Sequence, residues 1–276
     1  MAKAASTNAT PPRSASVDPA DVARFNALGE EWWDLWGPMR ALHKLNPTRV
    51  DYIRDILVEE LRGASSTVSS RPGSGPLSGL RILDIGCGAG ILSEPLAALG
   101  AEMTSVDPAP MNIEVAQAHA AKAGLSIDYR AMTAEDLAAT GAQFDAVLIM
   151  EVVEHVADRS AFIATAASLV RPGGFLFAAT LNRTLKSYAL AIVGAEYILR
   201  WVKRGTHNWE QFVTPQELAG DFRASGLEVY DRTGVVYNPV FDEWRTSEDC
   251  GVNYMMAAQK PGGAINSAHP ATAESA

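Results

Sequence analysis

The stretch LDIGCGAG, residues Leu83–Gly90, places three glycines between an apolar run and a helical pattern. The run RILDI before it is typical of a buried strand, and ILSEPLAALG after it has the spacing of a helix. Glycine adopts backbone conformations with positive φ and lets other groups approach the chain closely. The cluster at this strand-to-helix joint therefore predicts a loop that binds a ligand through its backbone.

The rest of the chain predicts the sheet around this loop. From Leu80 to Leu181, apolar runs alternate with helical patterns, which is typical of a doubly wound α/β sheet with parallel strands. Two later runs, GLEVYDRTGVVYNP and VNYMMAAQ, have little helical pattern between them. We therefore predict a Rossmann-like sheet that is mostly parallel and has an antiparallel C-terminal edge.

Composition sets the broad class. The chain has 276 residues, of which 47% are hydrophobic, and a formal net charge of -9, which argues against nucleic acid as a partner. Cys87 and Cys250 are the two cysteines, and Cys87 lies in the glycine loop, so we expect no disulfide framework and a reducing cytoplasm. The predicted organisation is a disordered tail (1–20), an N-terminal helical cap (21–62), a flexible linker (63–79), a main domain (80–260) with an insertion (185–213), and a second tail (261–276).

The residues around the loop indicate a nucleoside cofactor. Asp107 lies 21 residues after Gly86, the distance at which an acid accepts hydrogen bonds from a ribose. A dinucleotide loop has a third glycine where this chain has Ile91. Asp84 and Gly88 complete a D-x-G-x-G pattern, whose acid suits the cationic S-adenosylmethionine better than a diphosphate. The alternative is a tight turn with no ligand.

Longer segments carry a family resemblance. LDIGCGAG, VDP and RPGGFLFAATLN resemble class I S-adenosylmethionine-dependent methyltransferases. LHKLNPTRVDYI, MEVVEHV, VGAEYILR and KRGTHNWEQFVTP resemble the ubiquinone biosynthesis O-methyltransferase family, over about Phe25 to Gln259. The resemblance implies the class I methyltransferase fold and methyl transfer from S-adenosylmethionine to hydroxyls of polyprenyl phenols and quinols, at two steps of one pathway.

The resemblance also implies cofactor contacts. These fall on Arg49, Gly86, Asp107 and Met150, and an adenine contact falls on Glu135 in the segment TAEDL. A guanidinium such as that of Arg49 can bind the methionine carboxylate through a charge-assisted hydrogen bond. From spacing alone, Arg49 could equally be a surface residue, and Met150 could simply pack in the core.

The chemistry is expected after the fourth apolar run. Glu151, Glu154 and His155 would share one face if MEVVEHV were helical. One hypothesis is that they hold Mg²⁺, Mn²⁺ or Zn²⁺, which would favour the phenolate, and the resemblance supports it. The rivals are His155 alone as general base, with His207 as a second candidate, and a purely structural cluster.

The insertion predicts a membrane contact. Within residues 187–205, an apolar stretch ends in Arg200, Lys203 and Arg204, as in a lid or an interfacial helix against anionic lipid. The alternative is a cover for the domain core. We expect a peripheral association with the inner face of the membrane.

The aromatic residues near the N-terminus have two interpretations. Phe25, Trp32, Trp33 and Trp36 are predicted to form the core of a cap over the cofactor, and the alternative is that they line the substrate entrance.

Two other functions stay open from sequence. One is a methyltransferase with a different small aromatic acceptor. The other is a catalytically silent partner that binds the cofactor among other ubiquinone-biosynthesis proteins, although such a partner should lose the acids and the histidine of MEVVEHV.

Overall fold

Eight strands are found in the computed structural model, which describes residues 18–62, 75–188 and 209–262. They are β1 (Arg81–Ile85), β2 (Glu102–Asp107), β3 (Asp128–Ala131), β4 (Phe144–Met150), β5 (Val170–Leu181), β6 (Glu228–Asn238), β7 (Glu243–Ser247) and β8 (Asn253–Gln259). The α-helices of these ranges are α1 (Pro19–Asn26), α2 (Arg40–Leu57), α3 (Ser93–Ala98), α4 (Pro110–Ala123), α5 (Ala134–Ala138), α6 (Arg159–Leu169), α7 (Leu185–Ser187) and α8 (Pro215–Ala224).

The strands form one sheet in the order β3-β2-β1-β4-β5-β8-β6-β7. The first five in this order pair in parallel, and β8 pairs antiparallel with β5 and β6. The predicted doubly wound sheet with an antiparallel C-terminal edge is confirmed. The strand β7 was not predicted, because EWRTS is short and polar and pairs with β6 at the sheet edge.

Helices cover both faces of the sheet. On one face, Ile53 and Leu57 of α2 and Leu96 of α3 are fully buried against Ile82 and other strand residues. On the other face, α6 and α8 bury apolar side chains such as Ile163 and Phe222. Helix α2 is therefore a layer of the main domain, although it precedes the predicted linker.

Local sequence signals place several helix ends. Thr133 begins α5 with a capping box in which its hydroxyl accepts from the Asp136 N–H. Thr214 does the same for α8, with Glu217 as its partner and Pro215 in the first turn. The carboxyl ends of β1, β2 and β4 meet at one edge of the sheet, where parallel α/β proteins bind ligands.

Some predictions fall outside the described residues. These are His207, nearly all of the 187–205 segment with its three basic residues, most of the linker, and the parts of both tails at 1–17 and 263–276. Within the described ranges, no helix has the length and apolar character needed to cross a membrane.

Candidate active site

The glycine loop that follows β1 has positive φ angles, which residues other than glycine rarely adopt. The φ angles of Gly86, Gly88 and Gly90 are 73°, 53° and 87°. A Cβ placed on Gly86 would lie 2.6 Å from Val152 Cγ2, and one on Gly88 would lie 2.6 Å from the ring of Trp32. Glycine is therefore needed both for the conformation and for the close packing of the loop.

Asp107 fixes this loop from the end of β2. Its carboxylate accepts hydrogen bonds from the N–H of Gly88 at 3.0 Å and of Ala109 at 2.8 Å, and from Asn112 Nδ2 at 3.1 Å. Because each oxygen has more than one acceptor position, the group can still accept from a ribose. Burial raises the pKa of Asp107, and the donors around it oppose that rise.

Trp32 connects the N-terminal residues to Asp107. Its side chain is 6% exposed, and its Nε1 donates to Asn112 Oδ1 at 3.0 Å. The sequence predicted a buried aromatic cap, which holds for Trp32. It is wrong for Trp36, which is 81% exposed. The role of Asn112 was missed, because nothing in the spacing of α4 distinguishes it.

Arg49 and Asp84 are buried ionisable residues that line the site. Arg49 is only 2% exposed, so the interpretation as a surface arginine is wrong. Asp84 accepts from Ser93 Oγ at 2.7 Å, and burial raises its pKa to about 7 although Arg49 opposes the rise. The two groups line one cavity with the glycine loop.

Met150 and Glu135 lie at two other sides of the same cavity. Met150 ends β4 and is 7% exposed, so it serves both the core and the cavity wall. Glu135 lies in the first turn of α5, where its backbone follows the Thr133 cap. The predicted cofactor residues are thus brought together.

The three predicted catalytic residues lie in a turn, and the helix that would align them is absent from residues 151–155. Glu151 has φ 57°, a left-handed conformation at a residue other than glycine. Its carboxylate accepts from Arg49 Nη2 at 2.9 Å. Glu154 is buried and accepts from Thr180 Oγ1 at 2.8 Å, and His155 Nδ1 lies 3.0 Å from Asp21 Oδ2.

The predicted metal site is therefore not formed by this arrangement. Within residues 18–62, 75–188 and 209–262, no three His, Cys, Asp or Glu side chains are grouped to hold a metal ion. The reason is the turn, which directs Glu151, Glu154 and His155 to three different protein partners. As placed, these residues do not fit a metal ion.

Burial shifts the pKa values of Glu154 and His155 in this turn. It raises the pKa of Glu154 to about 8, and the neighbouring charge of Glu151 adds to the rise. It lowers the pKa of His155, although Asp21 opposes the shift. A histidine with a lowered pKa is neutral near pH 7 and can accept a proton.

The cavity itself measures about 710 Å³ and has two ends. One end is the glycine loop with its acids and Arg49. The other is apolar and lies between α2 and the β6–β7 hairpin. Its lining includes Met39, Leu42, Leu45, Val235, Tyr237 and Trp244. Glu151 and His155 line the cavity too, and the ring of His155 contacts that of Phe25 edge to face at 5.6 Å.

Comparison with known proteins gives consistent results. A family model described as a methyltransferase domain matches residues 52–231. A ubiquinone biosynthesis O-methyltransferase of Methylocella silvestris is 58% identical over 89% of this chain and 95% of its own. A ubiquinone biosynthesis O-methyltransferase of Methylobacterium nodulans is 57% identical over 89% of this chain and 96% of its own.

Among solved structures, magnesium protoporphyrin IX methyltransferase of Synechocystis PCC 6803 with bound SAM has a similar fold. Its TM-score is 0.58 at 20% identity, covering 90% of this chain and all of that one. At this identity the likeness concerns the fold alone.

Proposed function

This chain belongs to the ubiquinone biosynthesis O-methyltransferase family, and from that premise we propose that it methylates ring hydroxyls of polyprenylated phenols and quinols at both O-methylation steps. It is an S-adenosylmethionine-dependent O-methyltransferase. The observation that carries the proposed acceptor class is that one cavity is lined both by the glycine loop and by apolar residues of α2 and the β6–β7 hairpin.

The residues present fit the cofactor. The glycine loop leaves a cradle without side chains, Asp107 can accept from ribose hydroxyls, and Arg49 is a buried cation whose Nε has no hydrogen-bond partner. S-adenosylmethionine supplies a methyl group on a cationic sulfur. Glu151 at this end of the cavity favours such a positive charge, and Asp84 does so in its ionised form.

Removal of the phenol proton is assigned to His155. A free phenol has a pKa of about 10, so a group near the acceptor has to favour the phenolate at neutral pH. If His155 Nδ1–H donates to Asp21, Nε2 is the nitrogen left to accept the proton. Asp21 of α1 then positions the ring, a role that sequence alone did not suggest.

A divalent cation stays a separate proposal. A bound cation would require Glu151 to leave Arg49 and His155 to leave Asp21. Exhaustive chelation tests it directly. Loss of turnover with unchanged cofactor affinity would support the cation, and full turnover would favour His155 as the base.

Membrane contact is proposed for the acceptor side. A polyprenyl acceptor is dissolved in the bilayer, so the enzyme has to meet it there. The 187–205 segment carries Arg200, Lys203 and Arg204, the basic residues for which contact with anionic lipid is predicted. The exposed large apolar side chains of the described residues include Leu35, Trp36, Val240 and Phe241. These four lie close in sequence to Pro38 and Pro239, which line the cavity, and this supports contact between lipid and the cavity entrance.

The activity is tested with purified protein, labelled S-adenosylmethionine and two acceptors. We expect methylation of a short-chain prenyl catechol and of a demethylated quinol, and loss of both with His155→Ala. A water-soluble catechol without a prenyl chain is the matched acceptor control. Equal turnover on that control would indicate a different acceptor class, and no turnover on any acceptor would indicate a silent cofactor-binding protein.

A further inference from the structure

Arg49 is the buried cation of the cofactor end of the cavity. Among the described residues that line this cavity, Arg49 and Lys186 carry permanent positive charge, and Lys186 is half-exposed and paired with Asp249. A ligand carboxylate that enters the glycine-loop end therefore has Arg49 as its buried cationic partner. The guanidinium retains an unpartnered, buried Nε for this purpose.

Glu151 already occupies part of that position. Its Oε1 lies 2.9 Å from Arg49 Nη2, and its side chain is 24% exposed where that of Arg49 is 3% exposed. Glu151 is thus the more accessible and more easily displaced member of the pair. Its backbone φ of 57° is unfavourable for a glutamate, so the turn is held in this conformation by its surroundings.

A ligand carboxylate at Arg49 would meet the negative charge of Glu151, and also that of Asp84 whenever Asp84 is ionised. Asp84 lies close enough for Arg49 to lower its pKa, and Glu151 is bound to Arg49 directly. A carboxylate from a ligand would be the third carboxyl group, in a part of the protein where water screens little. The most favourable rearrangement is the departure of Glu151, because its side chain can turn toward the open cavity.

We propose that Glu151 is a positioning residue that holds Arg49 in place of the cofactor's carboxylate and is displaced by it, which releases Glu151 toward the acceptor end. This inference rests on the proposed function, since the ligand is the methionine part of S-adenosylmethionine or S-adenosylhomocysteine. Its consequence is an order of binding. The acceptor meets a free Glu151 only after the cofactor carboxylate has entered.

The experiment compares ligands that differ by one carboxylate. Affinities of the parent and of Glu151→Gln are measured by calorimetry for S-adenosylhomocysteine, for its decarboxylated analogue and for 5′-methylthioadenosine. The expected result is that Glu151→Gln binds S-adenosylhomocysteine about tenfold more tightly and the other two ligands no more tightly. Asp128→Asn removes an equivalent charge from an exposed pair with Arg130 and should change none of the three affinities.

Opposite results would overturn the proposal. Weaker binding of S-adenosylhomocysteine to Glu151→Gln would mean that Glu151 stays and binds the ligand's ammonium group. Unchanged affinity for all three ligands would mean that Glu151 does not compete.

If Glu151→Gln does not fold, the proposal can be tested on the parent protein. The Arg49 Nε–H nuclear magnetic resonance signal, assigned with Arg49→Lys, should move on addition of S-adenosylhomocysteine and stay in place with the decarboxylated analogue. An equal response to both ligands would contradict the exchange. All of these readouts are of binding, so they stand whichever acceptor the enzyme methylates.

Discussion

Replacing Asp107 with alanine tests the ribose contact. The carboxylate holds three protein donors, two of them backbone N–H groups, and the cofactor ribose would add further hydrogen bonds to the same oxygens. A hydrogen bond to a charged group contributes about 1.5–3 kcal/mol, so loss of the ribose contact should raise Kd about 10- to 150-fold. Calorimetric titration with S-adenosylhomocysteine measures this change, and thermal unfolding shows that the variant is folded.

The choice of ligand separates the ribose contact from other effects. 5′-methylthioadenosine keeps the ribose and lacks the amino-acid part, so Asp107→Ala should weaken both ligands by the same factor. Asp107→Asn should also bind weakly, because its amide either presents a second donor to the N–H of Gly88 or loses the contact with Asn112. A folded Asp107→Ala protein with unchanged affinity for 5′-methylthioadenosine would refute the reasoning.

Three further predictions concern selectivity, pH and lipid. NAD should not compete with S-adenosylhomocysteine, because Ile91 stands where a dinucleotide loop has glycine; saturable competition in a displacement assay would contradict this. Burial lowers the pKa of His155, so the acid limb of the kcat/KM profile should lie below the ordinary histidine value. Since Asp21 opposes that shift, Asp21→Asn should move the limb to still lower pH, and a limb that does not move would remove His155 as the base. Binding to anionic vesicles should weaken with salt, and further when the three cations within 200–204 are replaced by glutamine; cosedimentation equal to the parent would favour a structural lid.

The fold was largely predictable because its signals are local. Each buried parallel strand reads as an apolar run, and the glycine loop and Asp107 mark the carboxyl ends of β1 and β2. The strand β7 gave no such signal, because it is short and polar and its side chains are exposed or only partly buried at the sheet edge.

The arrangement of the catalytic turn was not predictable, because it depends on contacts between distant segments. His155 meets Asp21 across 134 residues, and Glu151 meets Arg49 across 102. The spacing of three and four residues suggested a shared helical face. A positive φ at Glu151 directs the chain into a turn, and a glutamate gives no sequence signal for that backbone angle.

The contact of Trp32 with Asn112 has a consequence for how the protein is made. The two residues are separated by 80 positions, so a growing chain carries an uncovered tryptophan until β1, the glycine loop and α4 have all left the ribosome. Contacts between such distant positions form late, because the intervening chain must first be ordered. The glycine loop is therefore expected to reach its final packing only after the segment that carries Trp32 has closed over it, so formation of the cofactor end of the cavity should be among the last steps of folding.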